Sequence, residues 1–481
     1  MHEYLYKELS YVPDSTQIFD LFCNEPYAFI LDSGLVEKSR GRYSFIGFDP
    51  FDVYKGVGAQ TLLLLKEKFK TIAPQLRTDL TPLPCGVVGF LGYDYGLYQE
   101  NIIRRQKEDL DLPDGLFGFY DCIVTIDHLR KRMFVFSSGL PEKDGDLRKR
   151  RAQERLDVVV EKIFGGLEKD LILGISDERK HRNIMSAGQL SGRRNCSHPK
   201  SLKLNPSLTS DFTKEEYCAA VRRAKEYIAA GDIYQVNLAQ RFELEFYDDG
   251  GQAWDIYKSL REISPASFSS YFNGGDFQVI SSSPERFLCV EKNIVRTRPM
   301  KGTRPRGDTV EQDKTLRDEI IKSAKDKAEL LMITDLLRND LGRVCEYGSV
   351  HVECMREIEE YTTVFQATST VVGKLQKDKD CFDVLQACFP GGSITGCPKI
   401  RAMEVIEELE PVRRGVYTGS MGYISFSGDM DFNILIRTLT INKDRIVFYV
   451  GGGIVADSTP EGEYEETLVK AKAIKECLGV T

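Results

Sequence analysis

Apolar and polar positions along this chain follow two different periods, and each change of period marks an element. From residue 1 to about 138, short apolar runs are punctuated by Gly, Pro and Asp. Gly41-Arg42-Tyr43-Ser44-Phe45-Ile46-Gly47 and Cys85-Gly86-Val87-Val88-Gly89-Phe90-Leu91-Gly92-Tyr93 are examples. This pattern predicts a strand-rich unit with tight turns. Residues 139–210 change character: Pro141 to about Phe164 is charge-dense with helical spacing, and Ser176 to Ser210 is polar, basic and aperiodic, as in a linker. Order returns over 211–481. Thr213 and Glu216 form a capping box, Tyr217, Val221, Ala224 and Ile228 share one helical face, and Gly231 stops the helix. Next, Val236, Leu238, Phe242, Leu244 and Phe246 alternate with Gln235, Asn237, Arg241, Glu243 and Glu245, which predicts a half-exposed strand. Further strands are expected at 277–281, 431–441 and 445–450, and helices at 309–337, 398–409 and 460–478. Ser458 and Glu461 form a second capping box, with Pro460 in the first turn. Strands and helices come in blocks, so the fold class is α+β and not a doubly wound sheet.

Composition narrows the function classes. At 481 residues the chain allows two or three packed units, and 42% hydrophobic with 29% charged residues is ordinary for a globular protein. No apolar run reaches the ~18–20 residues of a membrane span. Met1 to Ser10 carries acidic residues and no hydrophobic signal core, so neither secretion nor organelle import is expected. A net charge of −8 leaves no surplus of Lys and Arg for phosphates, which argues against a nucleic-acid partner. An anionic substrate would need a local cluster of donors. Twelve cysteines without a C-x-x-C pair or a Cys/His cluster fit free thiols in a reducing cytoplasm. Of the five histidines, none lies beyond His351.

Candidate chemistry comes from four features. Asp326 and Glu329 are three apart on one predicted helix, Glu463 and Glu466 on another, and Lys470 continues the second stripe. Four oxygens on two facing helices would suit a hard divalent ion such as Mg²⁺, but each pair taken alone reads first as the solvated side of an amphipathic helix. Gly391-Gly392-Ser393-Ile394-Thr395-Gly396 and Gly451-Gly452-Gly453 are turns whose amides can hold anions; neither is a phosphate loop or a dinucleotide fingerprint, and a plain tight turn is the alternative. Arg437 lies within an apolar predicted strand, where its charge needs a core carboxylate or a ligand carboxylate. Lys301, amid Arg298 and Arg304, is either a surface basic turn or a desolvated nucleophile.

In their order and spacing these features resemble the chorismate-binding enzyme family. The carrying blocks are Ser281-Ser282-Ser283-Pro284-Glu285-Arg286-Phe287, Arg298-Pro299-Met300-Lys301-Gly302-Thr303-Arg304, Asp335-Leu336-Leu337-Arg338-Asn339-Asp340-Leu341, Gly392 to Met403, and Gly452-Gly453-Ile454-Val455-Ala456-Asp457-Ser458. The match spans about Thr213 to Leu478. Residues 1–138 resemble the N-terminal region of anthranilate and aminodeoxychorismate synthase large subunits. The fold implied is anthranilate synthase component I-like, with large antiparallel sheets flanked by helices.

The family's branches differ in nucleophile. Water-using members carry a lysine base where this chain has Gln235, so water activation is not expected. Anthranilate synthases typically carry alanine in the P-I-x-G-T block, and aminodeoxychorismate synthases carry lysine, as in Pro299-Met300-Lys301-Gly302-Thr303. The resemblance implies that Lys301 attacks the chorismate ring and expels the 4-hydroxyl, with Glu285 as general acid/base. Ammonia then gives 4-amino-4-deoxychorismate on the folate/4-aminobenzoate route. It also implies Mg²⁺ on Glu329 and Glu466, supported by Asp326 and Glu463. Tyr417, Arg437, Gly453 and Lys470 would hold substrate carboxylates, and Thr303 would lie beside the ring. A separate glutamine amidotransferase subunit would supply ammonia, because no G-x-C-x-G block is present. Departures are Gln366 where the family carries an active-site histidine, and Asp326 in place of a more usual Glu. In addition, Ser264-Pro265-Ala266-Ser267-Phe268-Ser269 stands where a tryptophan-feedback site carries P-Y-M, while Asp32-Ser33 survives from that site's other half. Tryptophan inhibition is therefore not expected. Anthranilate synthase chemistry, and a non-catalytic chorismate- or tryptophan-binding relative, stay open as alternatives.

Overall fold

The computed structural model describes residues 4–9, 12–35, 41–72, 77–174, 208–246, 251–361 and 364–480, with side chains at all of these but 167–174. The expected linker lies outside them except for its last three residues, where Thr209–Ser210 pairs with Phe242 and Glu243.

Two antiparallel sheets organise the described residues, one of twelve strands and one of ten. The first runs Leu5–Leu9, Arg132–Ser137, Cys122–Asp127, Tyr43–Gly47, Phe29–Asp32, Phe268–Asn273, Phe277–Ser283, Thr438–Asn442, Arg445–Ile454, Gln235–Glu245, Gly396–Cys397. Its order crosses from the first 138 residues to the last 271 between two neighbouring strands, at Ser269 opposite Asp32. The second sheet is interleaved in the same way: Ser420–Ser425 pairs with Gly86–Leu91. The sheets pack face to face through apolar alternating positions. Phe90 meets Phe272 at 6.3 Å and Phe45 meets Tyr423 at 5.4 Å between ring centroids, with Val88, Leu116, Val279 and Leu435 filling the layer. Helices Gly145–Gly174, Gln252–Ile263 and Pro460–Leu478 cover the outer face of the first sheet. Trp254, Tyr257, Ile163, Ala471 and Ile474 bury their apolar stripes there. No helix among the described residues is long and apolar enough to cross a membrane, and all eleven described cysteines are free thiols.

The helix after Thr213 forms as its sequence predicts. It spans Lys214–Ala230, with a reciprocal Thr213/Glu216 capping box and Gly231 in the left-handed region at φ 81°. Five expectations need correction. Strand Gln235–Glu245 is buried on both faces as far as Arg241, because Asp109 pairs with Arg241 at 2.7 Å and Glu410 accepts the Ala239 amide. The single helix expected over 309–337 is two, Val310–Lys322 and Ala324–Gly342, broken at Ser323, whose hydroxyl caps the Asp326 amide. The single strand expected over 431–441 is also two, Met430–Asn433 and Thr438–Asn442, each in a different sheet. Finally, Gly451–Gly453 is no turn but the end of strand Arg445–Ile454, and the last helix starts after Thr459 with no side-chain cap in place of the expected Ser458/Glu461 box. Ser458 instead accepts the Val455 amide.

Candidate active site

Glu285 sits where the chain leaves the first sheet at Ser283 and enters the second at Arg286. Backbone bonds fix this crossing, with Ser283 Oγ on Ile434 O at 2.6 Å and the Ile434 amide on Glu285 O at 3.1 Å. The carboxyl is buried and accepts one hydrogen bond from Ser393 Oγ at 2.7 Å. Burial pushes its pKa up to about 7, against the opposing pull of Ser393, Lys301 and the Met300 amide.

Lys301 lies on strand Met300–Pro305, opposite Ala367. The register slips between Lys301 and Thr303, with Gly302 at φ 77°, a bulge that re-aims the neighbouring side chains. A Cβ at Gly302 would stand 2.9 Å from Asp326 Cγ, so only glycine lets this strand lie against the helix carrying the acidic pair. Lys301 Nζ reaches Ser393 O at 3.4 Å. Burial draws the amine below the ordinary lysine range; Glu329 opposes this, and the Lys470 ammonium adds to it. Thr303 pairs with the buried Gln366 across the strands, so the glutamine in place of the family histidine borders the same strand as Lys301.

The carboxylates of the two helices sense one another. Glu329 is raised by burial and by the charges of Asp326 and Glu466, while Lys301 and Lys325 oppose. Burial works against the Glu466 anion, but Lys470 at 2.8 Å outweighs it and holds the carboxylate below its usual range. Lys470 also donates to Gly451 O at 2.7 Å. The glycines ending that strand leave the space these groups occupy. A Cβ at Gly452 would stand 3.1 Å from Glu463 Oε2, 3.5 Å from Glu466 Oε1 and 3.7 Å from Lys470 Nζ, and one at Gly453 would overlap the Gln235 carboxamide. Glu463 is raised by burial, with Ser458 opposing. Asp326 is turned aside to Arg304 at 3.1 Å. Among the described residues no three potential ligands are gathered tightly enough to hold an ion on their own. Glu329 and Glu466, two helix-borne carboxylates with Glu466 among the charges acting on Glu329, nevertheless fit a hard cation that completes its shell with water and substrate oxygens.

Arg437 is not inside a strand. It occupies the break between the two sheets at φ 49°, and no carboxylate among the described residues pairs with it; its nearest polar partner is Ser264 Oγ at 3.5 Å. Burial lowers its pKa from the usual guanidinium range. Of the two anions proposed for it, the core carboxylate is thus absent among the described residues. Tyr417 stacks on Tyr449 at 5.1 Å, with the Arg414 guanidinium 5.8 Å from its ring.

Sequence reasoning missed Ser393 and Arg414. Ser393 belongs to a turn considered for its amides and not for its hydroxyl. Arg414, only 1% exposed, is clamped by Glu410 at 2.9 and 2.6 Å and donates to Ile394 O at 3.0 Å and Asn237 O at 2.8 Å. Within Pro411-Val412-Arg413-Arg414-Gly415 it looks like any charged turn. The cavity of about 530 Å³ between the sheets is lined by Asp32, Ser33 and Ser267–Ser270, and by none of the acidic cluster. Asp32 is already satisfied by Ser15, Ser44, Tyr257 and Arg261.

With two interleaved antiparallel sheets, and a lysine, a buried acid and two helix-borne carboxylates at their junction, the chain belongs to the chorismate-binding enzyme family, whose pattern it matches over residues 31–476. It is a chorismate-converting enzyme of the component I type. It is 37% identical over 460 residues to aminodeoxychorismate synthase component 1 of Bacillus subtilis, covering 92% of this chain and 91% of that one. It is 34% identical to anthranilate synthase component 1 of Acetivibrio thermocellus, covering 95% and 91%. The crystal structure of anthranilate synthase component I from Streptococcus pneumoniae TIGR4 superposes with a TM-score of 0.72 at 30% identity, over 92% of this chain and 93% of that one.

Proposed function

We propose that this enzyme aminates chorismate at C4 as component I of aminodeoxychorismate synthase, giving 4-amino-4-deoxychorismate for the folate/4-aminobenzoate route. The observation that carries this reading is Lys301, an amine whose protonation burial disfavours and which is linked through Ser393 to a carboxyl with a pKa of about 7. Neutral Lys301 forms a C–N bond to the ring as the 4-hydroxyl takes a proton from Glu285 and leaves as water. Ammonia then forms the C4–N bond, Lys301 departs, and Glu285 takes back a proton. Arg437, without a carboxylate partner among the described residues, holds a substrate carboxylate, and Lys470, Tyr417 and the Gly453 backbone complete that hold, with Thr303 beside the ring. Glu329 and Glu466 would hold Mg²⁺, with Glu463 and Asp326 supporting them; bound there, the ion would supply charge neutralisation at the ring carboxylate. The "component 1" relatives imply a second component, for which a glutamine amidotransferase delivering ammonia is the fitting class. Free cysteines and the lack of a membrane-crossing helix among the described residues support a cytoplasmic setting.

The test is product analysis after incubation with chorismate, Mg²⁺ and excess ammonium salt. A product that keeps its enolpyruvyl group and exchanges hydroxyl for amine is expected. Anthranilate with released pyruvate would instead move the enzyme to tryptophan biosynthesis and overturn the role given to Lys301.

A further inference from the structure

Resting on the reading of Glu285 as acid and Lys301 as nucleophile, we propose that Ser393 is the positioning residue that couples the two. Its hydroxyl orients the Glu285 carboxyl and its carbonyl steadies the Lys301 amine. Both contacts come from one buried residue: Ser393 Oγ to Glu285 Oε1 at 2.7 Å, and Lys301 Nζ to Ser393 O at 3.4 Å.

The turn that presents Ser393, Gly392–Ile394, is held from three sides. A Cβ at Gly391 would stand 2.7 Å from Ile434 Cδ1, and one at Gly392 would overlap Leu336 Cδ2, so the backbone packs closely against both side chains. Thr395 Oγ1 donates to Gly391 O at 3.0 Å. Arg414, itself locked by Glu410, donates to Ile394 O at 3.0 Å. A turn fixed in this way has little freedom to adjust to its neighbours, so Ser393 imposes geometry on Glu285 and Lys301 and does not merely follow them. Lys301 is the charged group facing Glu285; Lys301 in turn faces Glu329, Lys470 and Glu466. A hydroxyl that donates to the carboxylate favours the anion, so its removal raises the pH at which Glu285 ionises.

The experiment is the pH profile of kcat/KM for the ammonia-dependent reaction of the full chain, for the wild type, Ser393→Ala and Ser393→Thr, with chorismate affinity measured alongside. The wild type is expected to show a break near pH 7. In Ser393→Ala the break moves alkaline by about one pH unit, the size of one lost hydrogen bond to a buried charge. In the same variant kcat falls about tenfold while chorismate affinity holds. Ser393→Thr, which keeps the hydroxyl, restores the break. If Ser393→Ala does not fold, Ser393→Cys, a weak donor, carries the same expectation. A wild-type break that removal of the hydroxyl leaves in place overturns the coupling alone. A wild-type profile without a break in that range sinks the acid role of Glu285 and the coupling together.

Discussion

Burial disfavours the charged forms of Lys301, Glu285 and Arg437, which is the residue-scale pattern expected of a site built for a ligand. Lys301→Ala is expected to lower amination by on the order of 10³-fold or more while chorismate still binds, read by activity and by equilibrium binding. Arg437→Met removes a buried guanidinium with no anionic partner among the described residues. Thermal unfolding should therefore show no loss of stability, and a gain of up to about 1 kcal/mol, while KM for chorismate rises about tenfold or more. A change that stabilises the protein and disables it separates ligand binding from structural support. Gly452→Ala places a methyl against Glu463, Glu466 and Lys470. Calorimetry should show weaker Mg²⁺ binding with the fold intact.

Elements carry the site through their ends. Ser323 ends one helix and caps the next, which bears Asp326 and Glu329. Ser323→Ala should cost about 1 kcal/mol in denaturant unfolding. This break was legible in principle, as a serine three residues before an acidic one, but the helical period runs on across it without Gly or Pro. Thr213, Glu216 and Gly231 were readable because their signals are local and unopposed. The split at Ile434–Arg437 was not, because the chain there changes sheets and only distant strands decide where. The Gly451–Gly453 run misled for a related reason. Its glycines serve close approach of Glu463, Glu466, Lys470 and Gln235, partners that no local window contains. The proposed site residues were named from family blocks, while Ser393 and Arg414 needed three-dimensional contacts.

At the scale of the whole molecule, buried carboxyls shape the response to pH. Glu285, Asp94 and Asp211 are each pushed by burial up to about 7. Groups whose folded pKa is raised contribute stability fully present below their unfolded values and lost as pH rises through 7. Asp313 acts in the opposite sense: the Arg306 hydrogen bond holds it down to about 2, and its contribution fades as pH falls towards that value. The melting temperature of the metal-free protein should therefore peak near about pH 4 and decline towards pH 7, measured by calorimetry across that range.

The seam at Ser269 and Asp32 bears on how relatives of this enzyme can be recombined. Residues 139–210 look in sequence like a natural crossover point, yet a chimera joined there inherits the two edges of one continuous sheet from different parents. Strand Phe268–Asn273, next to the strand that leads to Glu285, would then face a foreign neighbour at Phe29–Asp32. Parents matched along that edge should yield active hybrids, whereas parents that differ there should lose turnover before they lose any residue of the site.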